Sequence, residues 1–144
     1  MATASAHDVA KYIISKFGVV SAMKLQKLVF YSQAWSLVWD ERLLFSEKIE
    51  AWANGPVVPK LYSVHKGQFE ISNWPLGKIS NLDHKAKTTI DSIINFYGKK
   101  TAQELSDLSH CEKPWLEARQ GLAPQERGNN VISTASLHEY YSSL

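Results

Sequence analysis

SAMKLQKLVFYSQAWSLVWD, running from Ser21 to Asp40, is the stretch whose reading decides the fold. No Gly or Pro interrupts it, and Ser21 stands where a hydroxyl can cap the first free amides of a helix. At roughly 1.5 Å rise per residue such a helix spans on the order of 30 Å, the width of a small domain. Met23, Leu25, Leu28, Val29, Phe30, Tyr31, Trp35, Leu37, Val38 and Trp39 cannot share one stripe, and a helix apolar nearly all round is covered from several sides. Lys24, Gln26, Lys27, Ser32 and Gln33 gather mostly in its first half. The reading is a central core helix with one polar edge toward its N-terminal end.

Upstream, Ser5-Ala6-His7-Asp8 has the form of a capping box, with Asp8 also placed to complement the helix dipole. Val9, Tyr12, Ile13 and Phe17 recur at helical spacing and Gly18 supplies the stop. Downstream the period changes. Arg42 to Phe45 and Lys48 to Trp52 flank Ser46-Glu47 and predict a small antiparallel hairpin. Asn54-Gly55-Pro56 signals a turn, and Pro59 fits the first position of a short helix that ends at Gly67. Between Gly67 and Leu82, Phe69, Ile71 and Trp74 lie in a long connection that either folds back on the core or serves a partner.

Ile90, Ile93, Ile94 and Tyr97 stripe a helix from Asp83 that Gly98 closes. Thr101 to Glu104 is another capping box, Pro114 opens a helix to about Arg119, and residues 121–130 read as an exposed loop. Ser133 caps a last helix carrying Leu137, Tyr140 and Tyr141. The expected architecture is mainly α: a compact bundle of about six helices around the buried helix Ser21 to Asp40, with one small β-hairpin, forming a single domain over residues 1–144.

Composition excludes several classes of function. With 44% apolar residues, five Trp and six Tyr, a packed core is within reach and wholesale disorder is not expected. Sixteen basic against fourteen acidic side chains leave a formal charge of +2, which gives no footprint for nucleic acid. The first helix, the Gly18-Val19-Val20 turn and the central helix superficially match helix-turn-helix. A recognition helix must expose polar residues to base edges, however, and this one is apolar beyond Lys27. The lone Cys111 excludes an intramolecular disulfide, and His7, His65, His84, His110 and His138 show no metal-ligand spacing. No signal-peptide pattern and no membrane-spanning run is present, so a cytoplasmic location is the expectation. Phosphate-binding glycine loops and nucleophile elbows are absent too. Glu47 and Glu50 read as a solvated strand edge rather than a catalytic pair. The sequence therefore predicts no catalytic residues, no cofactor and no metal.

The strings Met23-Lys24-Leu25-Gln26-Lys27-Leu28, Tyr31-Ser32-Gln33-Ala34-Trp35-Ser36-Leu37 and Ile49-Glu50-Ala51-Trp52-Ala53-Asn54-Gly55-Pro56-Val57-Val58-Pro59-Lys60-Leu61-Tyr62 resemble the Panacea domain. That is the family of SocA-like antitoxins and phage-associated GepA-type proteins. Glu104-Leu105-Ser106 and Pro114-Trp115 resemble its second half. The resemblance implies a bacterial antitoxin of a toxin–antitoxin system that neutralises a cognate protein toxin by direct binding. It implies as well an adaptor role that hands the toxin to a bacterial protease. The alternatives are a phage- or prophage-encoded protein that binds a host factor, and an autoregulatory DNA-binding protein.

A module of this kind needs rigid aromatics and a polar rim. Trp52, Asn54, Gly55, Pro56, Val57 and Tyr62 form the first candidate surface, since Gly55-Pro56 makes a stiff turn that costs little to order on binding. The same residues have an architectural reading, in which Gly55-Pro56 only turns the chain and Trp52 fills the core. Lys24, Lys27 and Gln33 form a second candidate patch, and Trp74 is a further candidate because aromatics dominate interface hot spots. The identity of the toxin and the oligomeric state have no signature in the sequence.

Overall fold

Ser5 and Asp8 close the first helix by exchanging hydrogen bonds, the Ser5 hydroxyl accepting from the Asp8 amide and the Asp8 carboxylate from the Ser5 amide. The computed structural model describes residues 4–144. Helix α1 covers Ala6–Phe17. The two-residue strand β1, Val20–Ser21, leads into α2, Ala22–Trp39, whose first turn is capped by the Ser21 hydroxyl. Strands β2, Glu50–Trp52, and β3, Gly55–Val57, precede α3, Pro59–His65. After β4, Glu70–Ile71, and a 3-10 turn at Ile79–Asn81 comes α4, His84–Tyr97. The chain finishes with α5, Ala102–His110, α6, Lys113–Ala118, and α7, Thr134–Ser142.

The described residues thus form seven α-helices with α2 at the centre, packed against α1, α4, α5, α7 and β3. Leu25, Leu28, Val29, Phe30, Tyr31 and Ala34 are essentially sealed from solvent, and each large one contributes about 1.5–3 kcal/mol by leaving water.

The polar edge expected on α2 is not wet. Gln26, Lys27, Ser32 and Gln33 are all buried. A buried polar group must find a partner, and three of these reach outside their own helix for one. The Gln33 amide donates to the Phe45 carbonyl at 2.7 Å and its oxygen accepts from the Leu44 amide at 2.8 Å. Gln26 does the same for Val58, accepting from its amide at 2.9 Å and donating to its carbonyl at 3.3 Å. Lys27 Nζ donates to the Pro56 carbonyl at 3.2 Å. Ser32 alone turns inward, to the Leu28 carbonyl of its own helix. These side chains stand in for a neighbouring strand and dock the irregular chain between α2 and α3.

That docking moves the hairpin. Residues 42–45 do not pair with residues 48–52 around Ser46-Glu47, because Gln33 and Ser36 already occupy their backbone groups. The hairpin forms instead between β2 and β3, with Glu50 opposite Val57, Ala51 opposite Pro56 and Trp52 opposite Gly55. Its turn falls at Ala53-Asn54, and Gly55, at φ +120°, takes the backbone conformation that L side chains avoid. Residues 130–132 run along the other edge: the Ala51 amide donates to the Asn130 carbonyl and the Ile132 amide to the Ile49 carbonyl. A second two-stranded pair joins β1 to β4 antiparallel, so the connection after α3 folds back across the start of α2.

Candidate functional site

The hairpin tip is held from behind. Trp115 is buried and its indole donates to the Trp52 carbonyl at 2.9 Å. The Ser106 hydroxyl donates to the Asn54 carbonyl at 2.6 Å. Arg119 is buried and donates to the carbonyls of Ala51, Ala123 and Glu126, which ties the 121–130 loop to β2. The front of the hairpin remains open. Trp52 is half-buried, its ring edge-on to Tyr62 of α3 at 5.0 Å between centroids, and its indole donates to Glu50 at 2.9 Å. Asn54 is exposed beside them.

In front of this wall lies a cleft of about 700 Å³. Its floor is Met23, Gln26 and Lys27 of α2. One side is the hairpin, through Trp52, Ala53, Asn54 and Val57. Tyr62 and His65 of α3 form the second side, and Arg127, Gly128 and Asn129 the third. The described lining contains two cations and a histidine and no carboxylate.

Lys27 is the unusual member. It is 1% exposed, and no carboxylate among the described residues pairs with it. Desolvation pulls its pKa down to about 7. Gly55 makes room for it: a Cβ there would sit 2.5 Å from Lys27 Cε and 3.2 Å from Nζ. Gln26 also donates to His65 Nε2 at 2.9 Å. Because Val58 fixes the orientation of the Gln26 amide, His65 must accept through Nε2 and carry its proton on Nδ1. Burial and the nearby Lys27 charge both lower the His65 pKa, which keeps that neutral form.

The structure therefore brings Trp52, Asn54, Val57, Tyr62 and Lys27 to one cleft, with Gly55 and Pro56 buried behind them. It does not assemble Lys24, Lys27 and Gln33 into a patch. Lys24 points to the other side of α2, donating to the Gly98 carbonyl at 2.6 Å and lying over the Phe17 ring. Gln33 is enclosed by residues 44–45. Gln33, nine positions after Lys24, faces roughly the opposite side of the helix, whereas Lys24 and Lys27, three apart and on neighbouring rows, are drawn to different carbonyls, those of Gly98 and Pro56. Trp74 is 4% exposed, and its indole donates to His7 Nδ1 at 3.2 Å. The connection that carries it folds onto the core, so Trp74 presents no surface.

Met23, Gln26, His65 and the Arg127 to Asn129 segment were not among the candidates from the sequence. Gln26 and His65 carried a signal, a polar residue inside an apolar helix and a histidine ending a short one. Arg127 carried none, because the Arg119 clasp and the pairing of residues 130–132 with the edge of β2 bring that loop to the hairpin.

Among the described residues no group of three or more His, Cys, Asp or Glu side chains is placed to hold a metal ion. No described helix is long and apolar enough to cross a membrane. The exposed residues of α2, Met23 and Trp39, are apolar and do not make the polar face that base recognition needs. Residues 25–116 match the family model described as antitoxin SocA-like, Panacea domain. No curated protein and no solved structure matches the chain. The matched segment runs from the floor of the cleft through its hairpin wall to Trp115.

Proposed function

The chain belongs to the SocA-like antitoxin family of Panacea domains, and from that premise we propose that it neutralises a cognate protein toxin by direct contact through the hairpin face. The observation that carries this reading is the half-buried Trp52–Tyr62 pair with exposed Asn54 beside it, held rigid from behind by Trp115, Ser106 and Arg119. Pre-positioned aromatics lose little entropy on binding, and such residues are the usual hot spots of an interface. Binding of this kind asks for no catalytic group and takes place in the cytoplasm, where a toxin meets its target.

Co-expression with the product of the adjacent reading frame tests the proposal. Growth should be rescued and the two proteins should co-purify. Trp52→Ala, verified as folded by circular dichroism, should weaken the complex by about 2 kcal/mol or more, roughly thirtyfold. Undiminished neutralisation by folded Trp52→Ala would remove the hairpin face from the proposal. Rescue accompanied by loss of the toxin, without a stable complex, would replace blocking by delivery to a protease.

A further inference from the structure

We propose that His65 operates a proton-sensitive latch on the chain between the hairpin and α3. While its Nε2 is bare, Gln26 grips Val58, and a proton on Nε2 releases that grip.

The latch follows from counting donors and acceptors. Gln26 presents two amide hydrogens and one carbonyl oxygen. One hydrogen goes to the Val58 carbonyl at 3.3 Å and the other to His65 Nε2 at 2.9 Å, while the oxygen accepts from the Val58 amide at 2.9 Å. Neither hydrogen is spare. A second proton on His65 therefore sets two donors against each other at 2.9 Å. Turning the Gln26 amide over would serve the imidazolium, but it would then meet the Val58 carbonyl with an oxygen and the Val58 N–H with a donor. Either way Val58 loses its hold on α2. Val58 is fully buried, so its N–H must then move to find another partner or water. Lys27, the next residue of α2, holds the Pro56 carbonyl, so the two consecutive side chains grip β3 and its exit.

The groups around His65 are Lys27 of α2, Arg127 across the cleft, Tyr62 of its own helix with ring centroids 5.4 Å apart, and Trp74 at 6.3 Å with His7 of α1 bonded behind it. No carboxylate stands among them. Burial opposes the second proton most, the residue's own main-chain carbonyl favours it and Lys27 opposes it, which leaves the pKa below the ordinary 6.5. Opening restores the ordinary value, so proton uptake and opening are coupled and the latch yields as pH falls below 6.5. It is a property of the isolated chain and holds whatever the hairpin face binds.

Amide exchange of the isotopically labelled full chain at pH 7 and pH 5, each corrected for its intrinsic rate, tests the latch. Protection of the Val58 amide should fall by about fivefold or more between them. At pH 5 it should stand at least about tenfold below that of the Phe30 amide inside α2, which marks an opening short of global unfolding. His65→Gln offers Gln26 a carbonyl oxygen and takes no proton, so Val58 protection should then change by no more than about twofold. Should that variant not fold, the nitrogen shifts of the wild-type His65 ring decide: Nδ1 should carry the proton at pH 7, and Nε2 should gain one over the interval in which Val58 loses protection. Equal Val58 protection at the two pH values, an equal fall in His65→Gln, protection matching that of Phe30 at pH 5, or a proton on Nε2 at pH 7 would each overturn the proposal.

Discussion

Lys27 breaks the rule that a charge is buried only with a partner, and it breaks it next to the one glycine of the hairpin. Such exceptions are expected where function opposes stability. The sign of the effect follows from its lowered pKa: between about 7 and the ordinary lysine value of 10.5 the unfolded chain binds more protons than the folded one. Stability contributed by Lys27 is therefore full at high pH and is lost as pH falls through about 7. The lowered His65 works the same way below its ordinary 6.5. Tyr31 and Tyr141, raised above 10.0 by burial, reverse the trend only in stronger alkali. Urea denaturation across pH 6 to 9.5 should show stability rising with pH, and Lys27→Met should flatten that rise and be the more stable protein at pH 6. Parallel profiles for the wild type and Lys27→Met would show the ammonium to be solvated.

At the scale of the element, α2 does two jobs with one sequence. Its apolar residues fill the core, and its buried glutamines act as backbone substitutes that hold chain segments with no strand to pair with. Gln33→Ala leaves the Leu44 amide and the Phe45 carbonyl without partners, at about 1–3 kcal/mol each. Hydrogen exchange should then find the Leu44 amide unprotected while the interior of α2 stays protected. Equal loss of protection throughout α2 would mean that Gln33 supports the helix rather than the segment it clasps. The extent of α2 was legible, since a run without Gly or Pro and with a Ser cap permits nothing else. The role of its polar residues was not, because Gln26 and Gln33 look alike in sequence whether they meet water or a backbone. The hairpin was misplaced for the same reason: residues 42–45 have strand-like composition, but their hydrogen bonds were already claimed by α2.

Across the whole molecule, Glu112 joins the N-terminal and C-terminal halves. Its carboxylate oxygen accepts from the hydroxyls of Tyr31 in α2 and Tyr141 in α7, each at 2.7 Å, with Tyr97 of α4 stacked on Tyr31 at 4.1 Å. Burial raises its pKa, so the stability it contributes is greatest in acid and is lost as pH rises from the ordinary 4.5 through the raised value. Glu112→Gln keeps an acceptor without the charge and should raise Tm at pH 7. Glu112→Ala strands both hydroxyls and should cost about 2–5 kcal/mol. A Glu112→Gln protein less stable than the wild type would show that the ionised form is the one these tyrosines stabilise.

The sequence by itself determined the helical elements, their caps at Ser5, Ser21, Thr101 and Ser133, and the family, because capping, periodicity and a contiguous motif are local and need only neighbours along the chain. Of the motif residues, Trp52, Asn54, Val57 and Tyr62 line one cleft, while Gly55 and Pro56 are buried behind them. The tertiary structure alone decided that Lys24 and Lys27 part company, that Trp74 turns inward, and that Arg127 arrives at the cleft. Each of those outcomes depends on which group, distant in sequence, a donor reaches. Sequence spacing carries no record of that choice, since burial is settled only when every element has packed.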